Sequence, residues 1–374
     1  MAGGGGGTDP AMARAISMIE AVERYSNCVP PKNLRWATQR DLGLESLDLR
    51  TMPRCSKTEF EHPKCQTLPY DIDDKIRWVR GWSFRQAEPR WIPAVSVWLH
   101  LSPQARGERF TLPISTGSAA HTDLAKAVVN GLCEVVERDA ISLTWLQMLP
   151  LPEIDFSDAP PDVKLTVESA NSGATIHRFF DATTDVGIPT IYCVDTAPQS
   201  TSMRHVVMCA TDLDPGRAVI KIAREIASSR IALEHGQHAP MEVDDFVDVF
   251  HGAQYMGHAD RSMAFDFLLR QPREVRKFGD IPSFADLTPE SELRLVLARL
   301  ESVSASAFAV DITTSEARSV GIHVVKTIIP ELMPLSFAHR SRFLAHPRLF
   351  EAPLKLGYHS REEHHLNPFP QPFA

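Results

Sequence analysis

The amino-acid sequence predicts a mixed α+β fold, because strand-like and helical segments alternate along most of its 374 residues. Short runs of apolar and β-branched residues predict strands, and longer segments with apolar residues three and four apart predict helices. The composition, 43% hydrophobic and 23% charged, is that of a globular protein that can bury a sizeable core. We therefore expect a folded mixed α/β protein rather than a disordered chain.

The first hundred or so residues are expected to form a loop, a helix and a hairpin. Glycines 3–7 precede residues 11–25, whose apolar side chains recur at helical spacing. Residues 28–74 are polar and interrupted by proline, which predicts irregular structure with short strands. Residues 79–84 and 92–100 read as two strands joined by a charged turn.

A long amphipathic helix is expected from about Asp123 to Leu146, after a turn-rich stretch at residues 115–120. The side chain of Asp123 is placed to cap its first turn. The later predicted elements are strands at 190–195 and 205–210, a helix at 215–235, a less regular segment at 240–284, a helix at 291–300, and strands at 308–312 and 323–329.

Charge and cysteine usage exclude several classes of protein. A net charge of -8 argues against binding to nucleic acid, whose phosphates are held by clustered Lys and Arg. Membrane binding is not expected, since no apolar run approaches the roughly 20 residues of a membrane helix. The six cysteines lack paired-ligand spacing, and no signal peptide is visible. These features predict a cytoplasmic protein.

One carboxylate pattern occurs twice, each time inside a predicted helix. The two copies of Glu-x-x-Glu-Arg are Glu20, Glu23 and Arg24, and Glu134, Glu137 and Arg138. Residues three and four apart share one face of a helix, so each copy presents two carboxylates and a guanidinium to the same side. Carboxylate oxygens suit Mg²⁺, and two such helices facing each other could hold more than one ion.

A structural explanation of the same pattern is an exposed ion pair, worth only ~0.2–0.5 kcal/mol. Apolar neighbours such as Val22 and Leu132 favour a position near the core instead. The sequence contains neither GxxxxGK[ST] nor a GxGxxG between a strand and a helix, so a nucleotide site would need another construction. Glycines 3–7 could approach phosphates, or could form a flexible tail.

Four stretches together resemble the YcaO family, in particular its azoline-forming, thiazole/oxazole-modified microcin type. They are residues 3–25, residues 115–145, residues 215–230, and a last group comprising 310–313, 324–334, 348–349 and the proline-rich end. The resemblance implies a YcaO-type ATP-binding fold with mixed sheets and long helices carrying the Glu-x-x-Glu-Arg motif. It also implies one YcaO domain over residues 1–374, without part of the usual N-terminal segment, and a C-terminal tail at 364–374.

The resemblance also implies a set of site residues and two cofactors, ATP and Mg²⁺. The expected Mg²⁺ ligands are Glu20, Glu23, Glu134 and Glu137. The expected nucleotide-binding residues are those four glutamates together with Arg24, Thr122, Asn130, Arg138 and Glu225. Pro368, Pro370 and Pro372 of the tail correspond to prolines that lie near the active site in azoline-forming members.

The implied activity is ATP-dependent closure of Cys, Ser or Thr of a ribosomal precursor peptide into azoline rings. The implied partners are that peptide, a ThiF-like protein that binds its leader, and optionally a flavin-dependent azoline dehydrogenase. A homodimer is a further possibility. One alternative is a thioamide- or amidine-forming enzyme, but the proline-rich tail argues against it. Another is a non-catalytic scaffold that binds ATP or peptide, motivated by departures from the family pattern at Gly6, Ile16 and Lys126.

Overall fold

The computed structural model describes residues 10–171, 173–236, 239–270 and 274–373, and it divides into two compact units. The first unit comprises Met1–Val135, Asp286–Leu332 and Phe343–His346. The second unit comprises Val136–Ala285, Met333–Arg342 and Pro347–Ala374. Each contains a sheet and helices, which confirms the predicted mixed α+β class. The predicted domain boundaries stay a prediction.

The helices and strands follow in chain order. The α-helices are α1 (Pro10–Ser26), α2 (Gln39–Leu42), α3 (Lys57–Glu61), α4 (Leu124–Gln147), α5 (Pro161–Ala170), α6 (Pro215–His235), α7 (Val249–Gly257), α8 (Asp266–Leu269), α9 (Pro289–Ser302), α10 (Ser315–Ser319) and α11 (Arg348–Lys355). The strands are β1 (Arg35–Ala37), β2 (Ile76–Ser83), β3 (Glu88–Pro93), β4 (Ser118–His121), β5 (Glu153–Asp155), β6 (Ile176–Asp181), β7 (Thr190–Thr196), β8 (His205–Thr211), β9 (Val275–Lys277), β10 (Phe308–Asp311) and β11 (His323–Ile328). In the described ranges no helix is both long and apolar enough to cross a bilayer.

The sheet of the first unit is antiparallel, with the strand order β1-β2-β10-β11-β4 and β3 paired to β2. Its core contains fully buried side chains such as Trp78, Ile92 and Val324. Helix α1 packs against this core through Ile19 and Val22. Because Glu20 and Glu23 directly follow these apolar residues, burying one face of α1 brings both carboxylates close to the sheet.

The sheet of the second unit has the order β8-β7-β6-β5-β9, with only the β5–β9 pairing parallel within the described chain. Helix α6 packs on this sheet through Ile222 and Ile226. Its start agrees with the prediction, since Pro215 is the first helical residue and Asp214 accepts a hydrogen bond from the N–H of Gly216 at 2.8 Å. Cap and apolar spacing together explain why this helix could be predicted.

The long helix α4 begins and ends within one residue of its prediction. Asp123 caps it, because its Oδ1 accepts a hydrogen bond from the N–H of Lys126 at 2.9 Å. The boundary between the two units falls inside α4, between Val135 and Val136. Glu134 is therefore counted with the first unit and Glu137 with the second, although both belong to one helix.

Several predicted elements were wrong. The stretch 115–120 was predicted as a turn, but β4 occupies its second half and pairs with β11. The second hairpin strand was predicted at 92–100, whereas β3 ends at Pro93 and a short 3-10 turn follows. Consecutive side chains from Ala94 to Val95 are both buried there, which alternation in a half-exposed strand does not allow. Helix α5, strand β6 and helix α11 were not predicted.

Candidate functional site

Three carboxylates of the first unit come close together and form what we call the acid cluster: Glu20 and Glu23 on α1, and Glu134 on α4. Burial raises the pKa of Glu23 to about 8, and the negative charges of Glu134 and Glu20 act in the same direction. The positive charges of Lys326 and Arg24 lower this pKa, but they do not offset the rise. Burial and the two neighbouring carboxylates therefore both disfavour the charged form of Glu23.

Lys326 on β11 is the buried cation beside the acid cluster, and only 2% of its surface is exposed. Its ammonium group donates hydrogen bonds to the backbone carbonyls of Ile114 at 2.6 Å and Thr116 at 2.7 Å. Burial lowers the pKa of Lys326 to about 8, although the charges of Glu134 and Glu23 raise it. Sequence reasoning missed this residue, and the available signal was a lysine inside an otherwise apolar predicted strand.

A glycine turn positions Glu134. The N–H of Gly117 donates to Oε2 of Glu134 at 2.9 Å, while its carbonyl accepts the N–H of Thr327 at 2.7 Å. Gly117 has a φ of +84°, and a Cβ there would lie 2.3 Å from the Thr327 carbonyl oxygen. Gly131 on α4 allows a similarly close approach, since a Cβ would lie 2.7 Å from the Gly117 carbonyl oxygen. Small residues thus let α4 and the turn meet at Glu134.

The other predicted residues of the first unit lie nearer to solvent. Arg24 forms an ion pair with Glu20 on α1, the arrangement that an exposed helix pair also gives. Thr122 is exposed between β4 and α4, and Asn130 is exposed one turn before Glu134 on α4. The structure gives these two residues no contact with the acid cluster that would identify their role.

The departures from the family pattern have structural explanations in two cases. Lys126 donates to Oε2 of Glu292 at 2.6 Å, so it forms an ion pair with α9. Ile16 is an exposed residue of α1, one turn before Glu20. Gly6 and the other glycines of 3–7 lie outside the described residues.

Glu137 and Arg138 are held within the second unit. Glu137 is buried, and its Oε2 accepts a hydrogen bond from the N–H of Thr211 at 3.0 Å. The guanidinium of Arg138 lies 3.9 Å from Oε1 of Glu137 and stacks on the ring of Phe373, 4.5 Å from its centroid. Glu225 lies half-buried on α6. Strand β8 and the C-terminal tail therefore surround the second half of the motif.

The tail, residues 364–374, is folded onto the second unit up to Phe373, and Ala374 lies outside the described residues. The indole N–H of Trp145 donates to the carbonyl of Phe369 at 3.2 Å, and the N–H of Asn367 donates to the carbonyl of Leu146 at 2.9 Å. The three predicted prolines differ in exposure, which is high for Pro368 and low for Pro370 and Pro372. Prolines restrict the extended backbone and so favour this ordered path.

Carboxylates grouped on the helices of a mixed fold are typical of a protein that binds Mg²⁺ together with substrate phosphates. Residues 4–333 match the YcaO family, described as an ATP- and Mg²⁺-binding cyclodehydratase family. The chain belongs to this family, which confirms the resemblance read from the sequence and the two predicted cofactors.

Two protein relatives are themselves uncharacterised. The chain is 26% identical over 334 residues to a protein of Methanothermobacter thermautotrophicus, covering 88% of this chain and 80% of the relative. It is 31% identical over 262 residues to a Rhizobium leguminosarum bv. trifolii protein encoded in the tfuA 3′ region, covering 65% and 56% of the two chains. Neither relative's name states an activity.

Solved structures share the fold at low identity. A heterocyclase in complex with substrate and cofactor has a TM-score of 0.82 at 22% identity, covering 99% of this chain and 49% of that one. The heterocyclase TruD has a TM-score of 0.77 at 21% identity, covering 96% and 50%. YcaO from Methanopyrus kandleri, bound with AMPPCP and Mg²⁺, has a TM-score of 0.63 at 18% identity, covering 87% and 77%. The chain spans about half the length of the two heterocyclases.

Proposed function

We propose that this protein is an ATP-dependent cyclodehydratase that converts Cys, Ser or Thr residues of a ribosomally made precursor peptide into thiazoline or oxazoline rings. The acid cluster is the observation that carries the proposal, because Glu20, Glu23 and Glu134 bring together carboxylates whose charged forms a divalent cation would stabilise. Family membership and the fold shared with two heterocyclases support the reaction class.

The residues present fit Mg²⁺. Its preferred ligands are carboxylate oxygens and substrate phosphates, and the acid cluster supplies the carboxylates from two helices. We assign Glu20, Glu23, Glu134 and Glu137 as the residues that would hold the ions. Bound Mg²⁺ would neutralise charge on the phosphates of ATP during phosphoryl transfer. The raised pKa of Glu23 supports this assignment, since a nearby cation would favour its charged form.

The nucleotide would contact further polar residues. Arg24 and Arg138 follow the second glutamate of each motif copy, where a guanidinium can bind phosphate with two parallel hydrogen bonds. Thr122, Asn130 and Glu225 complete the proposed nucleotide set. Arg138 has the more defined environment of the two arginines, because Glu137 and Phe373 both contact it.

The proposed reaction is a phosphoryl transfer followed by an elimination. The thiol or hydroxyl of the peptide attacks the preceding carbonyl carbon, and the resulting oxyanion takes the terminal phosphoryl group of ATP, with ADP as the leaving group. The amide nitrogen then loses its proton, the C=N bond forms and phosphate leaves. The enzyme contributes positioning and electrostatic stabilisation, and needs no nucleophile of its own.

The C-terminal tail would line the place where the ring closes, with Pro368, Pro370 and Pro372 as its rigid elements. Its ordered path along the end of α4 supports this role, because the same helix carries Glu134 and Glu137. We further propose a leader-binding partner of the ThiF-like kind and, where azoles are the final product, a flavin-dependent dehydrogenase.

The test combines the full chain with ATP, Mg²⁺, its leader-binding partner and a Cys-, Ser- or Thr-rich peptide encoded beside its gene. We expect release of ADP and phosphate, and a peptide lighter by one water for each ring, as measured by mass spectrometry. Glu134→Gln and Glu137→Gln should each lower turnover by roughly 100-fold or more, since even outer-shell changes at metal sites cost about 10–100-fold. The exposed Glu301→Gln is the matched control and should retain turnover.

Other outcomes contradict the proposal in distinct ways. A peptide in which sulfur has replaced a backbone oxygen would indicate thioamide formation on the same fold. Nucleotide binding without turnover, in the presence of partner and peptide, would indicate a scaffold. Full turnover in both glutamine variants would remove the Mg²⁺ assignment.

A further inference from the structure

We infer that Phe373 is a positioning residue that holds the guanidinium of Arg138 in the orientation needed to bind ATP. The inference rests on the proposed function, in which Arg138 contacts phosphate. It makes the end of the C-terminal tail part of the nucleotide site, in addition to the ring-closing role proposed for the prolines.

The contact between the two side chains is direct. The guanidinium carbon of Arg138 lies 4.5 Å from the centroid of the Phe373 ring, within the range of a cation–π interaction. Phe373 is 3% exposed and the side chain of Arg138 is 18% exposed, so water screens the contact weakly. Stacking on a ring leaves the edge of the guanidinium available for hydrogen bonds in its own plane.

Strand β8 links Phe373 to the motif. Its residue Val207 pairs with Phe373 in an isolated parallel bridge, and its residue Thr211 donates to Glu137 at 3.0 Å. One strand therefore fixes both neighbours of Arg138, the carboxylate of Glu137 and the ring of Phe373. A shift of the tail relative to β8 would move the ring away from the guanidinium.

The end of the tail is also held in place by its own contacts. The side-chain amide of Gln371 donates to the carbonyl of Phe373 at 2.6 Å and accepts the N–H of Phe373 at 2.7 Å. On its other side the tail passes Gly252 of α7, where an added Cβ would lie 2.2 Å from the carbonyl oxygen of Gln371. The tail can follow this path because residue 252 has no side chain.

The first experiment measures the Kd for AMPPCP with Mg²⁺ by calorimetry on the full chain, with Phe373→Ala, Phe373→Leu and Phe373→Tyr. We expect the alanine and leucine variants to raise Kd by roughly two- to thirty-fold, which corresponds to a cation–π contact of about 0.5–2 kcal/mol at 1.36 kcal/mol per factor of ten. The tyrosine variant keeps an aromatic face and should bind like wild type. If leucine, which keeps the apolar bulk, binds like wild type, Phe373 is a packing residue and the inference is wrong.

The second experiment moves the tail without changing it or Arg138. Gly252→Ala should raise the Kd for AMPPCP in the same range as Phe373→Ala, because the new Cβ displaces the backbone at Gln371. Gly173→Ala is the matched control, since no atom lies within 4 Å of an added Cβ there, and it should leave Kd unchanged. A Gly252→Ala protein that unfolds at the wild-type temperature and binds AMPPCP as tightly as wild type would overturn the inference.

These measurements use no peptide, so they separate the inference from the proposed reaction. If Phe373→Leu weakens AMPPCP binding but the wild-type protein forms no ring, only the proposed function is contradicted. Wild-type protein that forms rings while the Phe373→Leu variant binds AMPPCP normally contradicts only the inference.

Discussion

Two groups of buried charges, one in each unit, use similar residues for different purposes. In the second unit, Arg348 donates two hydrogen bonds to Asp139 at 2.6 Å each and two to Asp185, at 2.8 and 3.4 Å. Asp139 also accepts the N–H of Met333 at 2.8 Å. Burial lowers the pKa of Arg348. The charges and hydrogen bonds of both aspartates outweigh this effect and raise the pKa well above its usual range. The ammonium nitrogen of Lys355 lies 3.8 Å from Oδ2 of Asp185, so the two aspartates face two cations.

The acid cluster of the first unit contrasts with that arrangement. Its pKa shifts run the other way, upward for Glu23 and downward for Lys326, so both groups are less stable in their charged forms. Glu134 and Asp139 stand five residues apart on the same helix, but Asp139 forms an ion pair with Arg348, whereas Glu134 lies close to the buried Lys326. A buried carboxylate paired with an arginine is costly to separate from it, whereas carboxylates that disfavour one another's charged forms are suited to binding a cation.

Removing Arg348 should change stability the most. Arg348→Met leaves Asp139 buried without its cation, and should lower the free energy of unfolding by about 3–5 kcal/mol. Chemical denaturation measures this change. Arg318→Met, which removes an exposed ion pair with Asp311, is the control and should cost about 0–1 kcal/mol. Equal losses in the two variants would contradict the comparison.

The next effect concerns pH in the absence of Mg²⁺. Because the pKa of Glu23 is about 8 in the folded protein and 4.5 ordinarily, the folded state binds more protons between these values. Stability should therefore fall as pH rises from about 5 to 8, by on the order of 2–4 kcal/mol at 1.36 kcal/mol per unit. Thermal unfolding at several pH values checks this, and both Glu23→Gln and added Mg²⁺ should flatten the curve.

In the second unit, a buried histidine gives stability the opposite dependence on pH. Burial lowers the pKa of His205 to about 4 from 6.5, so the unfolded state binds more protons between these values. This contribution to stability is lost as pH falls through that range. A Glu23→Gln variant should therefore still lose stability as pH falls from about 6.5 to 4, but should no longer lose stability as pH rises from about 5 to 8. A variant with an unchanged alkaline side would show that Glu23 is not its source.

The last prediction concerns Lys326, whose removal should change stability the least. Lys326→Met leaves the carbonyls of Ile114 and Thr116 without their buried donor, which should cost about 1–3 kcal/mol of stability. It also removes positive charge from the acid cluster, so added Mg²⁺ should raise the unfolding temperature more than in wild type. Lys57→Met, whose side chain is 90% exposed, is the control. A smaller Mg²⁺ effect in Lys326→Met than in wild type would contradict this interpretation.

Much of the helical framework could be predicted because its signals are local. Helices α1, α4 and α6 have apolar residues at helical spacing, and Asp123 and Pro215 mark two of their starts. The strand β4 could not be predicted, because its four residues depend on pairing with β11 about two hundred residues later. Helix α11 contains Pro353, which argues locally against a helix, and its buried residues Leu349 and Ala352 pack in the second unit.

The amino-acid sequence was enough to predict that two helices each carry a Glu-x-x-Glu-Arg face, and with it the family and its cofactors, since the spacing of side chains on a helix is a local property. Which cation lies beside which buried polar group depends on the folded structure. Arg348 reaches Asp139 across 209 positions, and Lys326 reaches Thr116 across 210. The pKa of a carboxylate depends on burial and on nearby charges, and the chain brings those neighbours together only when it folds.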